Sequence, residues 1–111
     1  MKNQDVSNIF RQIAQILELK GENVFRIRAY ERAAQNIESM PEDVEVFVKE
    51  GKLNTITGIG KDLEAKIKEI AATGKLKFLD DLKKEIPDGL IDMLNVPGIG
   101  PKTAKALYEE L

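Results

Sequence analysis

The 111 residues contain no histidine, no cysteine and no tryptophan. Without His or Cys the chain can build no zinc finger, disulfide framework, thiol nucleophile, imidazole base or Ser-His-Asp relay. Any covalent chemistry must come from Lys, Asp, Glu, Ser, Thr or Tyr. Aromatics are few, four Phe and two Tyr, so the core is expected to be built from Ile, Leu and Val. No apolar run approaches the roughly 18 residues that a membrane span requires, and the first twenty residues are amphipathic, unlike a basic-then-apolar signal peptide. A cytoplasmic protein without membrane partners is expected. Positive charge is also not in excess: 17 Lys and Arg stand against 19 Asp and Glu, a net charge of −2. The field of the whole molecule therefore does not draw in polyanions, and a nucleic-acid role needs a local basic patch or backbone donors.

What is present is helical patterning. Val6, Ile9, Phe10, Ile13, Ile16 and Leu17 recur at helical spacing, predicting a helix over 5–19 that ends near Gly21. A second helix is expected from about Val24 to Ser39, with Val24, Ile27, Tyr30, Ala34 and Ile37 inward. Residues 41–50 read as a short acidic helix with Pro41 in its first turn and Gly51 at its end. No stretch alternates long enough for a strand, so the fold class is all-α. With 42% hydrophobic residues, this length makes one small domain or a closely packed pair of subdomains.

The second half repeats itself at an offset of forty residues. Ile56-Thr57-Gly58-Ile59-Gly60 lies over Val96-Pro97-Gly98-Ile99-Gly100, each preceded by a short apolar segment and followed by a helical pattern. The first pattern runs from Lys61 to Thr73 with Leu63, Ile67 and Ile70 inward. A linking helix spans about Leu76 to Lys84, and the last runs from Pro101 to Leu111. A helix, an apolar Gly-Ile-Gly turn and a second helix resemble the helix-hairpin-helix motif of nucleic-acid enzymes. Gly58, Gly60, Gly98 and Gly100 can take positive φ and bare the backbone, while Ile59 and Ile99 anchor the turns. Amides opening the following helix then make a phosphate site that needs no basic side chain. Such contacts position a backbone and carry no base information. A lone turn of this kind is more often a simple helix connector; two copies favour DNA binding. Lys61, Lys68, Lys102 and Lys105 are the lysines that could add to it, against the plainer role of solvated helix surface. In the wider motif family, hairpin carbonyls also hold a monovalent cation; by resemblance, those of Asn54, Ile56 and Ile59 and of Leu94, Val96 and Ile99 would hold Na⁺ or K⁺.

Phe25-Arg26-Ile27-Arg28-Ala29-Tyr30-Glu31-Arg32 places Arg28 and Arg32 one helical turn apart beside aromatics, a local basic patch. Followed by Gly58-Ile59-Gly60-Lys61-Asp62-Leu63-Glu64-Ala65-Lys66-Ile67 and Ala72-Thr73-Gly74-Lys75-Leu76, the chain resembles the amino-terminal domain of family X DNA polymerases, bacterial and archaeal branch. The resemblance implies a four-helix lyase-type domain over 1–75 with the first hairpin unit at about 53–73. Residues 76–111 would open the fingers subdomain, with the second unit at about 90–111. It further implies a DNA repair role at gapped, nicked or abasic DNA, on the 5′-phosphate side, for a monomer. It places Lys66 at the lysine that forms a Schiff base with an abasic sugar, making a 5′-deoxyribose-phosphate lyase conceivable, with Tyr30 in support. Arg26 matches a phosphate-holding lysine and Phe25 the stacking residue before it. The sequence departs from the pattern at Asp62, where a second phosphate-holding lysine is usual, and at Ala65, where an acidic residue is usual. The metal-binding aspartates of the nucleotidyltransferase core, with their Mg²⁺, belong to a later palm sheet in that family. Ending at Leu111 inside an unfinished helical pattern, the chain reads as a fragment. From another class, the alternative is a protein-docking module whose surface around Pro41 to Glu50 recruits a repair factor.

Overall fold

In the computed structural model, which describes residues 1–94 and 96–110, seven α-helices and one 3₁₀ turn follow one another with no strand among the described residues. Helices α1 (Asn3–Leu19) and α2 (Val24–Glu38) form the main antiparallel pair. Phe10, Ile13 and Leu17 on one side and Tyr30, Ala34 and Ile37 on the other are essentially without exposure. Each large side chain buried this way contributes about 1.5–3 kcal/mol. The Phe10 and Tyr30 rings meet edge to face, with centroids 5.7 Å apart and planes at 73°. Ser7, also fully buried, is not a polar defect: its hydroxyl donates to Glu38 Oε2 (3.1 Å) and accepts from Arg11 Nη1 (2.9 Å). The Arg11 guanidinium, which also pairs with Glu38, and then Ser7 hold the Glu38 carboxyl below its ordinary range.

Two expectations for these helices need correction. Val24 does not face inward; it is 53% exposed at the first position of α2, before the helix has curved its apolar stripe onto α1. The acidic helix does not begin at Pro41 but is α3 (Val44–Glu50). Asn3 intervenes: its Nδ2 donates to the Glu42 carbonyl (2.7 Å) and its Oδ1 accepts from the Val44 amide (2.7 Å). This holds residues 41–43 in a turn with Asp43 extended at the N-cap (φ −70°, ψ 133°), and sends Val44 into the core.

After Gly51, the 3₁₀ turn Leu53–Thr55 leads into α4 (Lys61–Thr73) and α5 (Lys77–Lys84). A further helix, α6 (Asp88–Leu94), stands where the sequence reads only as an apolar segment, before α7 (Pro101–Glu110). Seven residues following Pro87 are too few for periodicity to display. A first core runs from Val6 through Leu82. A smaller one joins Leu19, Leu90 and Ala104, with Ile99 and Met93 packed against it. Helix α1 contributes to both, seating the last two helices against its carboxyl end. No helix among the described residues is long and apolar enough to cross a membrane.

Candidate nucleic-acid interface

The two glycine turns share one hydrogen-bond pattern. In the first, the Ile56 amide donates to Leu53 (3.1 Å), Ile59 to Ile56 (3.1 Å) and Glu64 to Gly60 (2.9 Å). Forty positions on, Val96 donates to Met93 (3.2 Å), Ile99 to Val96 (3.1 Å) and Ala104 to Gly100 (2.9 Å). Gly58 and Gly98 carry matching left-handed φ values of 86° and 84°. Positive φ at the second glycine of each turn is not found: Gly60 is the extended N-cap of α4 (φ −91°, ψ −173°), and Gly100 is likewise outside the left-handed region. The first glycine makes the turn, so the second has only to enter a helix. A Cβ at Gly60 or Gly100 would meet nothing within 4 Å. What their lack of a side chain leaves open is the outer approach to the backbone.

That backbone is unsatisfied. The amides of Gly60, Lys61 and Asp62, and of Gly100, Lys102 and Thr103, donate no hydrogen bond among the described residues. They are the orphan donors of a helix start, at the positive end of its dipole. On the carbonyl side, Asn54, Ile59, Leu94 and Ile99 accept no hydrogen bond among the described residues, while Ile56 and Val96 each accept one in the turn. Oxygen-only donors of this kind fit a hard cation. Among the described residues no cluster of His, Cys, Asp or Glu suits a metal.

Hairpin 1 is fastened to α2. Asn36 Nδ2 donates to the Thr57 carbonyl (2.7 Å) and lies 3.2 Å from the place a Gly58 Cβ would take; the Arg32 side chain lies 3.8 Å from it. Arg26, Arg28 and Arg32 are exposed, and none pairs with a carboxylate among the described residues. Phe25, 79% exposed, offers a free aromatic face at the start of α2. Asn23 caps that start, accepting from the Phe25 amide at 2.7 Å.

Five side chains converge. Lys66, 14% exposed, sets its Nζ 2.7 Å from Asp62 Oδ1 and 4.8 Å from the centre of the Phe78 ring. The Arg26 guanidinium lies 5.3 Å from the same ring. Tyr30 lies nearly parallel to Phe78, at 6.3 Å and 14°. Lys61, Lys102 and Lys105 stand exposed on α4 and α7, and Lys68 is exposed with Glu64 3.5 Å away. Sequence reasoning missed Phe78, Asn36 and the role of Asp62 as partner of Lys66. Phe78 carries a signal: it falls off the Leu76-Leu79-Leu82 stripe, so its ring has to cover something else.

The Tyr30 hydroxyl is buried and makes no hydrogen bond among the described residues. Removing an unsatisfied buried hydroxyl relieves a desolvation cost of about 1–3 kcal/mol. Tyr30→Phe is therefore expected to leave stability unchanged or raise it by about 1 kcal/mol in urea denaturation; a loss of 2 kcal/mol or more on this order would mean that the hydroxyl is paired in solution.

A helical bundle bearing two such turns defines a class: tandem helix-hairpin-helix proteins. The family described as "Helix-hairpin-helix domain" matches residues 1–76, and that described as "SAM-like Helix-hairpin-helix tandem" matches residues 90–111. The chain belongs to the helix-hairpin-helix domain family. It is 36% identical over 111 residues to the DNA polymerase/3'-5' exonuclease PolX of Bacillus subtilis (strain 168), matching all of this chain and 19% of that protein, in its amino-terminal part. It is also 33% identical over 109 residues to DNA polymerase lambda of Arabidopsis thaliana, across 97% of this chain and 20% of that one. The chain thus spans about a fifth of the length of these relatives, and the resemblance to the amino-terminal domain of family X polymerases extends along all of it.

Proposed function

We propose that the protein binds DNA without sequence specificity, at the 5′-phosphate side of a gap or nick, as the amino-terminal module of a family X repair polymerase. The observation that carries this is the duplicated turn, with unsatisfied amides and an unobstructed glycine at both helix starts. Amides supply the phosphate contacts, so a net charge of −2 is no obstacle. Arg28 and Arg32 add long-range attraction beside hairpin 1, and Phe25 supplies a stacking face. The carbonyls of Asn54, Ile56 and Ile59, and of Leu94, Val96 and Ile99, would hold Na⁺ or K⁺, whose charge attracts a phosphate oxygen. The finer reading is a 5′-deoxyribose-phosphate lyase: Lys66 is the most sheltered amine of the basic face and shares the Phe78 ring with Arg26, which would hold the phosphate of the same nucleotide.

Affinity for gapped DNA measured against salt tests the binding. A steep linear fall of log K with log salt is expected; no binding at low salt sinks the proposal and favours protein docking through α3. Gly60→Val should sharpen the result. Its Cβ meets nothing and its φ suits any residue, so the fold persists while the side chain obstructs the phosphate. Unchanged affinity would place DNA elsewhere.

A further inference from the structure

We infer that Phe78 is a positioning residue: its ring gathers Arg26 of α2 and Lys66 of α4 into one bipodal cationic site, an inference that rests on the DNA-binding reading above. The two cations come from helices separated in sequence, yet both lie within 5.3 Å of one ring centre, Lys66 Nζ at 4.8 Å and the Arg26 guanidinium at 5.3 Å. Two cations on one ring repel each other, and only Asp62 is paired with either of them among the described residues. The negative face of an aromatic quadrupole offsets the repulsion without consuming the positive charge, as a second carboxylate would. Phe78 itself is held from behind the site: Tyr30 lies nearly parallel to it and is in turn locked edge to face by Phe10, a fully buried residue. The chain of contacts runs from the core through two rings to two cations. It fixes side chains that otherwise carry much rotamer freedom, so less entropy is lost when an anion binds. The anion that suits two cations gathered on one ring, one a planar fork and one a point charge, is a terminal phosphate monoester.

The residue adds end specificity rather than general affinity. Phe78→Leu keeps an apolar volume against Tyr30 but removes the quadrupole. Affinity for gapped DNA with a 5′-phosphate should fall about five- to tenfold, affinity for the same DNA with a 5′-hydroxyl should hardly change, and Phe78→Tyr should restore the phosphate preference. Equal losses on both DNAs, or failure of the tyrosine variant to restore, would overturn the inference in favour of a merely structural ring. The DNA-free protein supplies an independent reading. Ring current should shift the terminal methylene protons of Lys66 and Arg26 upfield in NMR spectra, and Phe78→Leu should abolish both shifts; their absence in the wild-type protein overturns the inference even where DNA binds. Present shifts without any DNA affinity would instead overturn the end-specificity role together with the DNA-binding reading, leaving only the contact between ring and cations.

Discussion

Borohydride treatment of the protein with DNA bearing a 5′-deoxyribose phosphate is expected to yield a covalent adduct, and Lys66→Ala to abolish it. The neutral amine attacks the C1′ aldehyde, water leaves, and hydride reduces the resulting imine to a stable secondary amine. Three features single out Lys66 among the lysines of α4. Its side chain is 14% exposed where that of Lys68 is 55% exposed, its Nζ lies against Phe78, and Arg26 shares that ring. Lys68→Ala should therefore keep the adduct. Asp62 works in the opposite direction. Its carboxylate, 2.7 Å from the amine, holds it in an ion pair that attack on the sugar has to break. Asp62→Asn should therefore raise the trapping rate. An adduct that survives Lys66→Ala would move the nucleophile to another amine, the amino terminus included.

Gly58→Val should be the most damaging glycine substitution in either hairpin. A β-branched residue forced to φ 86° costs on the order of 1–3 kcal/mol. The new Cβ would also stand 3.2 Å from Asn36 Nδ2, so the bond from Asn36 to the Thr57 carbonyl must stretch or break, at about 1 kcal/mol more. Gly98→Val supplies the comparison. The backbone strain is the same, at φ 84°, but a Cβ there meets nothing within 4 Å, so only the strain remains. Denaturant unfolding should rank the losses Gly58→Val above Gly98→Val by about 1 kcal/mol. Equal losses would mean that the Asn36 clamp contributes nothing.

The helices that bury a long stripe were legible in the sequence, because Phe10, Ile13 and Leu17 repeat over many turns and their period cannot be mistaken. The repeated turn was legible too, since glycine at Gly58 and Gly98 answers a backbone demand that few residues meet. What escaped depends on distant partners. The start of α3 is set by Asn3, some forty positions away in the chain, and no local propensity of Pro41 reveals it. Phe78 looked like one more apolar residue of a short helix; its meaning comes from Arg26 and Lys66, which only the tertiary packing of α2 and α4 brings to it. Lys66 itself could be chosen from the resemblance; its pairing with Asp62 went unread although the two stand four residues apart on one helix, the spacing at which opposite charges meet.

The unequal footing of the two hairpins also grades the molecule's resistance to unfolding. Hairpin 1 is tied to α2 by Asn36 and rooted in the large core through Leu53, Ile56 and Ile59. Hairpin 2 leans on Leu19, Leu90 and Ala104, with Ile99 only half-buried. Its opening exposes little apolar surface and so costs little free energy. The carboxyl-terminal turn is thus the end that loosens first: it can yield to a bend in whatever it holds while hairpin 1, on the rigid side of α1, keeps its place.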